Sequence, residues 1–384
     1  MIKDKTLEEF LEHKTLYYDK IDYNTIQDAW DIVEQYTKPK YVIHIVGTNG
    51  KGSTGRILAT YLHKSNFKVF HYTSPHIIKF NERIWINGKD ITDDELENGH
   101  KKLLSVLTHK LLEKLTYFEY TTLLALLLSD GCDYLVLEAG LGGEFDATNV
   151  IKNDLSLITT IDYDHQEFLG NTIEEITSTK VRSADTTMIV APQVHQEVYN
   201  TAKNIASLKK IKYYTTDDFI LARKSHTIFE AEFLNTNLKT VLAALEYLEI
   251  TIDFELFKDI KIKGRCEKLT PLITIDVGHN PLAAKMLAKE FKNKKINLVY
   301  NTLKDKDYKQ ILGILKPVIN HLYIIPINDK RSLDIALLEQ YFDENEINYS
   351  NFSDIPENKE LLVFGSFKVV EEFLHIFNKG NNEE

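Results

Sequence analysis

The chain alternates two apolar patterns. Short β-branched runs are followed by stretches with the 3.6-residue spacing of an amphipathic helix. "YVIHIVG", from Tyr41, reads as a strand, a glycine loop follows, and "STGRILATYLHKS" reads as a helix. "FKVFHYTS" is the next strand. "FEYTTLLALLLSD" has helical length, and "CDYLVLEAG" is a buried strand running into the glycine-rich "AGLGGEFDATN". "DLSLITTID" is a further strand. Such alternation predicts an α/β fold on a mostly parallel sheet. A second series begins near Arg265, with strands in "PLITIDVGHN", "INLVYNTLKDKD", "HLYIIPIN" and "ELLVFGSF" and a helix in "PLAAKMLAKEFKN". Its length suits a smaller α/β domain of its own. "FKDIKIKGR" is the expected linker, which puts the domains at 1–262 and 263–384. Between Asn200 and Asn235 only short strands are expected, and the polar end "NKGNNEE" is expected to fray.

Composition narrows the class. A chain of 384 residues, 43% hydrophobic and 27% charged, suits a soluble globular protein of ~2 domains. The net charge of −11 is spread without a basic stripe, which argues against a nucleic-acid partner. A local loop can still bind an anion in an acidic protein. The two cysteines, Cys132 and Cys266, have no CxxC spacing, so a disulfide framework or zinc knuckle is not expected. "MIKDKTLEEF" lacks an apolar signal core, and the run Leu123–Leu128 is too short to span a bilayer. The expected setting is cytoplasmic, with no membrane partner.

In parallel α/β sheets, ligands sit at the carboxyl ends of the strands. The chemistry-bearing residues collect there: Lys51 after the first strand, Ser74 after the second, Glu138 at the third and His165 after the fourth. The loop "GTNGKGS", Gly47 to Ser53, does not fit the Walker pattern G-x-x-x-x-G-K-[ST], because Gly52 separates Lys51 from Ser53. Its glycines still permit close backbone approach, the helix N-terminus favours an anion, and Lys51 supplies a charge for β/γ-phosphates. Phosphoryl transfer needs Mg²⁺, which prefers hard oxygen ligands and retained water. Ser74 and Glu138 are the first candidates, since an unpaired carboxylate closing an apolar strand would be costly. His165 reads more readily as a structural histidine than as a metal or phosphate ligand. Lys180, in "EEITSTKVRS", reads as a solvated helix charge. Arg265 and the turn holding Asp276, His279 and Asn280 read equally well as ordinary surface groups.

The motifs "HIVGTNGKGS", "YTSPH", "FNERIWING", "FEYTT", "LEAGLGGEFDATN", "DYDHQEFLG", "GRCEKL" and "IDVGHNP" occur in one order along almost the whole chain. Together they resemble the folylpolyglutamate synthase/dihydrofolate synthase family, a branch of the Mur ligases. The resemblance implies an N-terminal P-loop ATPase domain and a smaller C-terminal Rossmann-like domain, with ATP bound between them. It implies an ATP-dependent ligase that adds L-glutamate to dihydropteroate, to reduced folates or to both, through an acyl phosphate. The alternatives are chain extension of reduced folates alone, a cell-wall Mur ligase, or a nucleotide-binding homologue without turnover. The implied cofactors are ATP, Mg²⁺ at two sites and K⁺, in a monomer that acts on small molecules.

Carried over residue by residue, Thr48, Asn49, Gly50, Lys51, Gly52 and Ser53 form the ATP loop. Ser74 and Glu138 resemble ligands of the first Mg²⁺ and His165 a ligand of the second. Lys51, His165 and Lys180 are the expected catalytic residues, with Lys180 where the family carries a carbamylated lysine. "TKVRS" replaces the usual "EKAGI" there. Asn237, Arg265 and Asp276 resemble ATP contacts, with His279 close to the phosphates. The lead-in usual before the asparagine is missing, and "VGHN" replaces "GAHN" or "VAHN". "LTYFEY" resembles the form in members that also use dihydropteroate. Phe118 is expected to stack on a pterin or benzoyl ring, Asp146 and Ala147 to line the pteroate site, and "LYYDKIDY" to close over it. Phe118 also reads as a core residue that starts a helix.

Overall fold

The computed structural model describes residues 5–15 and 23–381. Residues 16–22 of "LYYDKIDY" lie outside the described residues, and so does the role expected for that segment. The chain divides into two compact units. One comprises Met1–Ile228 and Leu234–Ile260, the other Phe229–Phe233 and Lys261–Glu384. The break falls inside "FKDIKIKGR", and the short segment Phe229–Phe233 belongs with the second unit, which a single cut in the sequence does not capture.

The first unit is built on eight strands: β1 (Val42–Val46), β2 (Val69–Tyr72), β3 (Ile84–Ile86), β4 (Lys89–Asp90), β5 (Tyr134–Glu138), β6 (Leu155–Ile158), β7 (Thr187–Val190) and β8 (Lys212–Thr215). Their order is β4-β3-β2-β5-β1-β6-β7-β8. All neighbours pair parallel except β2–β3 and β3–β4. β1, β2 and β6 are buried along their whole length. Burial on both faces explains why they read as mainly apolar runs, interrupted by the buried His44, His71 and Ser156, rather than as alternating ones. The helix Tyr117–Leu128 is buried over most of its surface and starts at a capping box, in which Thr116 and Glu119 satisfy each other's backbone N–H. Thr172 and Glu175 start the helix Ile173–Val181 in the same way.

The second unit holds β9 (Glu267–Thr270), β10 (Ile273–Asp276), β11 (Ile296–Tyr300), β12 (Ile319–Ile324), β13 (Tyr349–Asn351) and β14 (Leu361–Phe364), in the order β13-β12-β11-β14-β10-β9. Only β9 runs antiparallel. Leu298, Leu322, Leu362 and Phe364 sit at the centre of its core.

Two expectations need correction. Residues 200–209 belong to the helix Gln196–Lys209, whose buried stripe is Val198, Thr201, Ala202, Ile205 and Ala206. One polar residue, Thr201, and two small alanines in that stripe hid its period. The final helix, Phe367–Asn381, extends into the tail that was expected to fray.

Candidate active site at the strand ends of the first unit

The four strands that carry Lys51, Ser74, Glu138 and His165 are β1, β2, β5 and β6. They are contiguous and parallel at the centre of the sheet. Sheet order therefore brings together residues far apart in sequence.

β1 ends at Val46, and the helix Lys51–Lys64 starts after Gly50, which has a left-handed φ of 89°. A Cβ at Gly50 would lie 2.6 Å from the Asn237 side-chain oxygen, so Asn237 packs directly on the loop. The backbone N–H groups of Thr48 and Asn49 donate to the Thr160 carbonyl at 3.0 and 3.1 Å. These bonds pin the loop to the end of β6. The first turn of the helix leaves N–H groups without an i−4 acceptor, which is the anion-binding feature of such a loop. Within that turn, the Ser53 and Thr54 hydroxyls are buried and have no hydrogen-bond partner among the described residues. Buried polar atoms without partners are costly in a finished core, and oxygen-rich ligands would satisfy these two.

Glu138 is 4% exposed, and its carboxylate accepts a hydrogen bond from the Thr73 hydroxyl. The parallel register Tyr72↔Leu137 places Thr73 beside Glu138, with Ser74 one residue further. A Cβ at Gly52 would come 3.3 Å from Glu138 Oε2 and 3.6 Å from Thr73 Oγ1. The extra glycine in "GKGS" thus makes room for a carboxylate from the neighbouring strand. Among the described residues no three His, Cys, Asp or Glu side chains converge as a metal cage. One carboxylate with nearby hydroxyls fits a cation that keeps much of its water, as Mg²⁺ does.

Lys180 corrects the reading of a solvated helix charge. It is 4% exposed, and its Nζ donates to the Gly47 carbonyl at 2.9 Å. Lys51 Nζ donates to the same carbonyl at 3.0 Å and to Thr48 O at 3.3 Å. Burial, and then the neighbouring Lys51 charge, push the Lys180 amine down to about 7. His165 lies at the rim in a left-handed conformation, φ 49°, at the start of Gln166–Leu169, with Asp164 3.8 Å away.

Phe118 is half-buried, stacks on Tyr72 at 6.2 Å between ring centres and packs on the Gly140 backbone. Asp146 is buried and accepts from Leu141 N at 2.8 Å, Thr148 N at 2.9 Å and Thr148 Oγ1 at 2.5 Å. Burial raises its carboxyl above the usual range, opposed by those bonds. His44, unmarked in the sequence reading, holds Thr148 Oγ1 at 2.8 Å from β1 and stays neutral, pushed down to about 4 by burial. Ala147 is buried beside this knot.

In the second unit, Asp276 closes β10 and is 4% exposed. It accepts from Cys266 N at 2.9 Å and Gly278 N at 2.7 Å. Burial raises its carboxyl, and Arg265 opposes the shift. Arg265 lies over the Phe367 ring at 5.3 Å. Asn280 is buried and caps the helix Pro281–Glu290. His279 is half-buried, with Nδ1 3.2 Å from the Val277 carbonyl. Asp276 and Asn280 are therefore not the surface groups that the alternative reading allowed.

Residues 45–216 match the family model of the Mur ligase middle domain. With the glycine loop at a strand–helix switch and a second α/β unit, that match defines the class: an ATP-dependent, amide-forming ligase of the Mur type. A dihydrofolate synthase/folylpolyglutamate synthase of Haemophilus influenzae is 31% identical over 388 residues, covering 87% of this chain and 88% of its own. The solved folylpolyglutamate synthetase of Helicobacter pylori is 40% identical, with a TM-score of 0.77 over 97% of this chain and 98% of its own. The chain belongs to the folylpolyglutamate synthase/dihydrofolate synthase family. The bifunctional enzyme of Yersinia pestis, solved with AMPPNP and a Mn ion, has the same fold: TM-score 0.85 at 24% identity, over 98% of this chain and 99% of its own. Among the described residues no helix is long and apolar enough to cross a membrane.

Proposed function

We propose that the protein joins L-glutamate both to dihydropteroate and to reduced folates. The observation that carries the ligase chemistry is the convergence of Lys51 and Lys180 on the Gly47 carbonyl, with Glu138 set against Gly52 in the same loop, and the double name of the Haemophilus influenzae relative supports the two acceptors. An acceptor carboxylate is a poor electrophile. Its oxygen attacks the γ-phosphorus of ATP, the bond to the bridging oxygen breaks, and ADP leaves. The glutamate amine then attacks the acyl carbon and loses a proton, and phosphate departs with one former carboxylate oxygen. Positioning and charge neutralisation supply most of the catalysis in such chemistry.

Thr48 to Ser53 would cradle the phosphates, with Lys51 swinging from the loop carbonyls to the β/γ-phosphates. Asn237, packed on Gly50, would contact ATP, and Arg265, Asp276 and His279 are the proposed nucleotide contacts of the second unit. Glu138 and Ser74 would hold the first Mg²⁺ and His165 the second. Bound there, Mg²⁺ neutralises the transferring phosphoryl group. Lys180, its amine pushed down to about 7 and so partly uncharged at neutral pH, can attack CO₂ through its amine and lose a proton, which gives an anionic carbamate beside the loop. Phe118 would face the pterin or benzoyl ring, with Asp146 and Ala147 shaping the wall of that site.

A second reading, extension of reduced folates alone, draws on the name of the Helicobacter pylori relative. The test is ADP and phosphate release with ATP, Mg²⁺ and L-glutamate, run beside each other on dihydropteroate and on tetrahydrofolate. Turnover of both supports two activities. Turnover of tetrahydrofolate alone selects the second reading, and turnover of neither refutes both.

A further inference from the structure

Arg83, the residue just before β3, is 8% exposed and has no carboxylate partner among the described residues. Among the described residues its one side-chain hydrogen bond runs from Nε to His76 Nδ1, at 2.8 Å. His76 Nδ1 must then be an acceptor, so the ring brings no negative charge. The guanidinium lies 5.7 Å from the centre of the Phe80 ring and 5.3 Å from that of Tyr117. The aromatic faces stabilise the cation but leave the Nη edge of the fork without a hydrogen bond from the described residues. A buried lysine could shed its proton, whereas an arginine cannot. A mostly buried cation with no counter-ion among the described residues favours an anion.

The position of Arg83 says which anion. Its main-chain carbonyl accepts from Thr73 N at 2.9 Å, so it is tied to the residue that holds Glu138. Tyr117, against its guanidinium, precedes Phe118, which stacks on Tyr72 at the end of β2. Arg83 thus sits between the proposed metal ligands and the proposed ring site. The reaction brings carboxylates to this region, and a planar fork binds a carboxylate with two parallel hydrogen bonds.

We propose that Arg83 binds a glutamyl carboxylate of the substrates through its Nη edge. The inference rests on the ligase reading above. The carboxylate can come from the incoming L-glutamate or from the glutamyl group already on a folate acceptor. Dihydropteroate carries no glutamyl group, which separates the two sources.

The experiment is steady-state kinetics of wild type, Arg83→Gln and Arg83→Lys, with ATP affinity measured as a check on the fold. If Arg83 holds the incoming amino acid, the KM for L-glutamate rises about 10- to 100-fold with either acceptor. If it holds the acceptor's glutamyl group, the KM for tetrahydrofolate rises by that factor while the KM for dihydropteroate stays put. In both cases the KM for ATP is unchanged. Arg83→Lys keeps the charge and loses the fork, so it shows a smaller rise in the same constant, and it carries the test should Arg83→Gln not fold. Substrate KM values within about threefold of wild type in a variant that binds ATP would overturn the proposal. A fall in kcat alone would also overturn it. A wild-type protein that turns over neither acceptor overturns the ligase reading instead.

Discussion

Replacing Lys180 with Met tests whether a cationic group is held against its will beneath the loop. Lys180 is 4% exposed, and its amine moves from 10.5 to about 7 on folding. Between those values the unfolded chain binds more protons than the folded one, so stability rises with pH across that window. Below about pH 7 both states are protonated and the penalty is at its full size. From about pH 7 to about pH 9, wild type should gain about 2 kcal/mol from this group. Lys180→Met has no such titration, so its stability advantage over wild type should shrink by that amount over the same range. Both tryptophans, Trp30 and Trp85, are buried in the first unit, so their fluorescence during urea unfolding reports on that unit alone. The buffer must be depleted of CO₂, because a carbamate would replace the titrating amine. A wild-type-minus-variant difference that stays constant between the two pH values would refute the reasoning.

Glu138→Gln keeps the shape of the side chain and an acceptor for Thr73, so the fold should survive. Turnover at limiting Mg²⁺ should fall at least about 100-fold, and near-normal rates would remove Glu138 from the metal site. Thr73→Val frees the Glu138 carboxylate from its hydroxyl and should raise the Mg²⁺ concentration for half-maximal rate about 10- to 100-fold. Thr73→Ser should restore it, and equal behaviour of the two variants would show that the hydroxyl does not orient Glu138. Gly50→Ala forces a Cβ into a left-handed position 2.6 Å from the Asn237 oxygen. It should cost about 1–2 kcal/mol in urea unfolding and weaken ATP binding, whereas wild-type stability and ATP affinity would show that the loop can relax.

The central strands were legible because burial on both faces gives mainly apolar runs. The loop was legible because phosphate chemistry needs glycines at a strand–helix switch. The convergence of Lys51, Ser74 and Glu138 could be read from the rule that parallel strands present ligands at one end. Other features depend on packing that no local pattern records. Lys180 looks like any helix lysine until the helix Ile173–Val181 is seen to lie under the loop. Asn237 lies far along the chain from Gly50 and meets it only in the folded unit. Thr73 stood one residue from a named candidate, and its role appears only in the β2–β5 register. Arg83 lies in "FNERIWING", but nothing in that string says that it is buried with no carboxylate partner among the described residues. The helix Gln196–Lys209 escaped because Thr201 and two small alanines make up most of its inner face.

The most direct test of the central claim follows an oxygen atom. Dihydropteroate or tetrahydrofolate labelled with ¹⁸O in the reacting carboxylate is incubated with ATP, Mg²⁺, L-glutamate and the purified protein. An acyl phosphate requires that the released phosphate carry one labelled oxygen for each amide formed. Amide formation with unlabelled phosphate, or no amide from either acceptor, would contradict it.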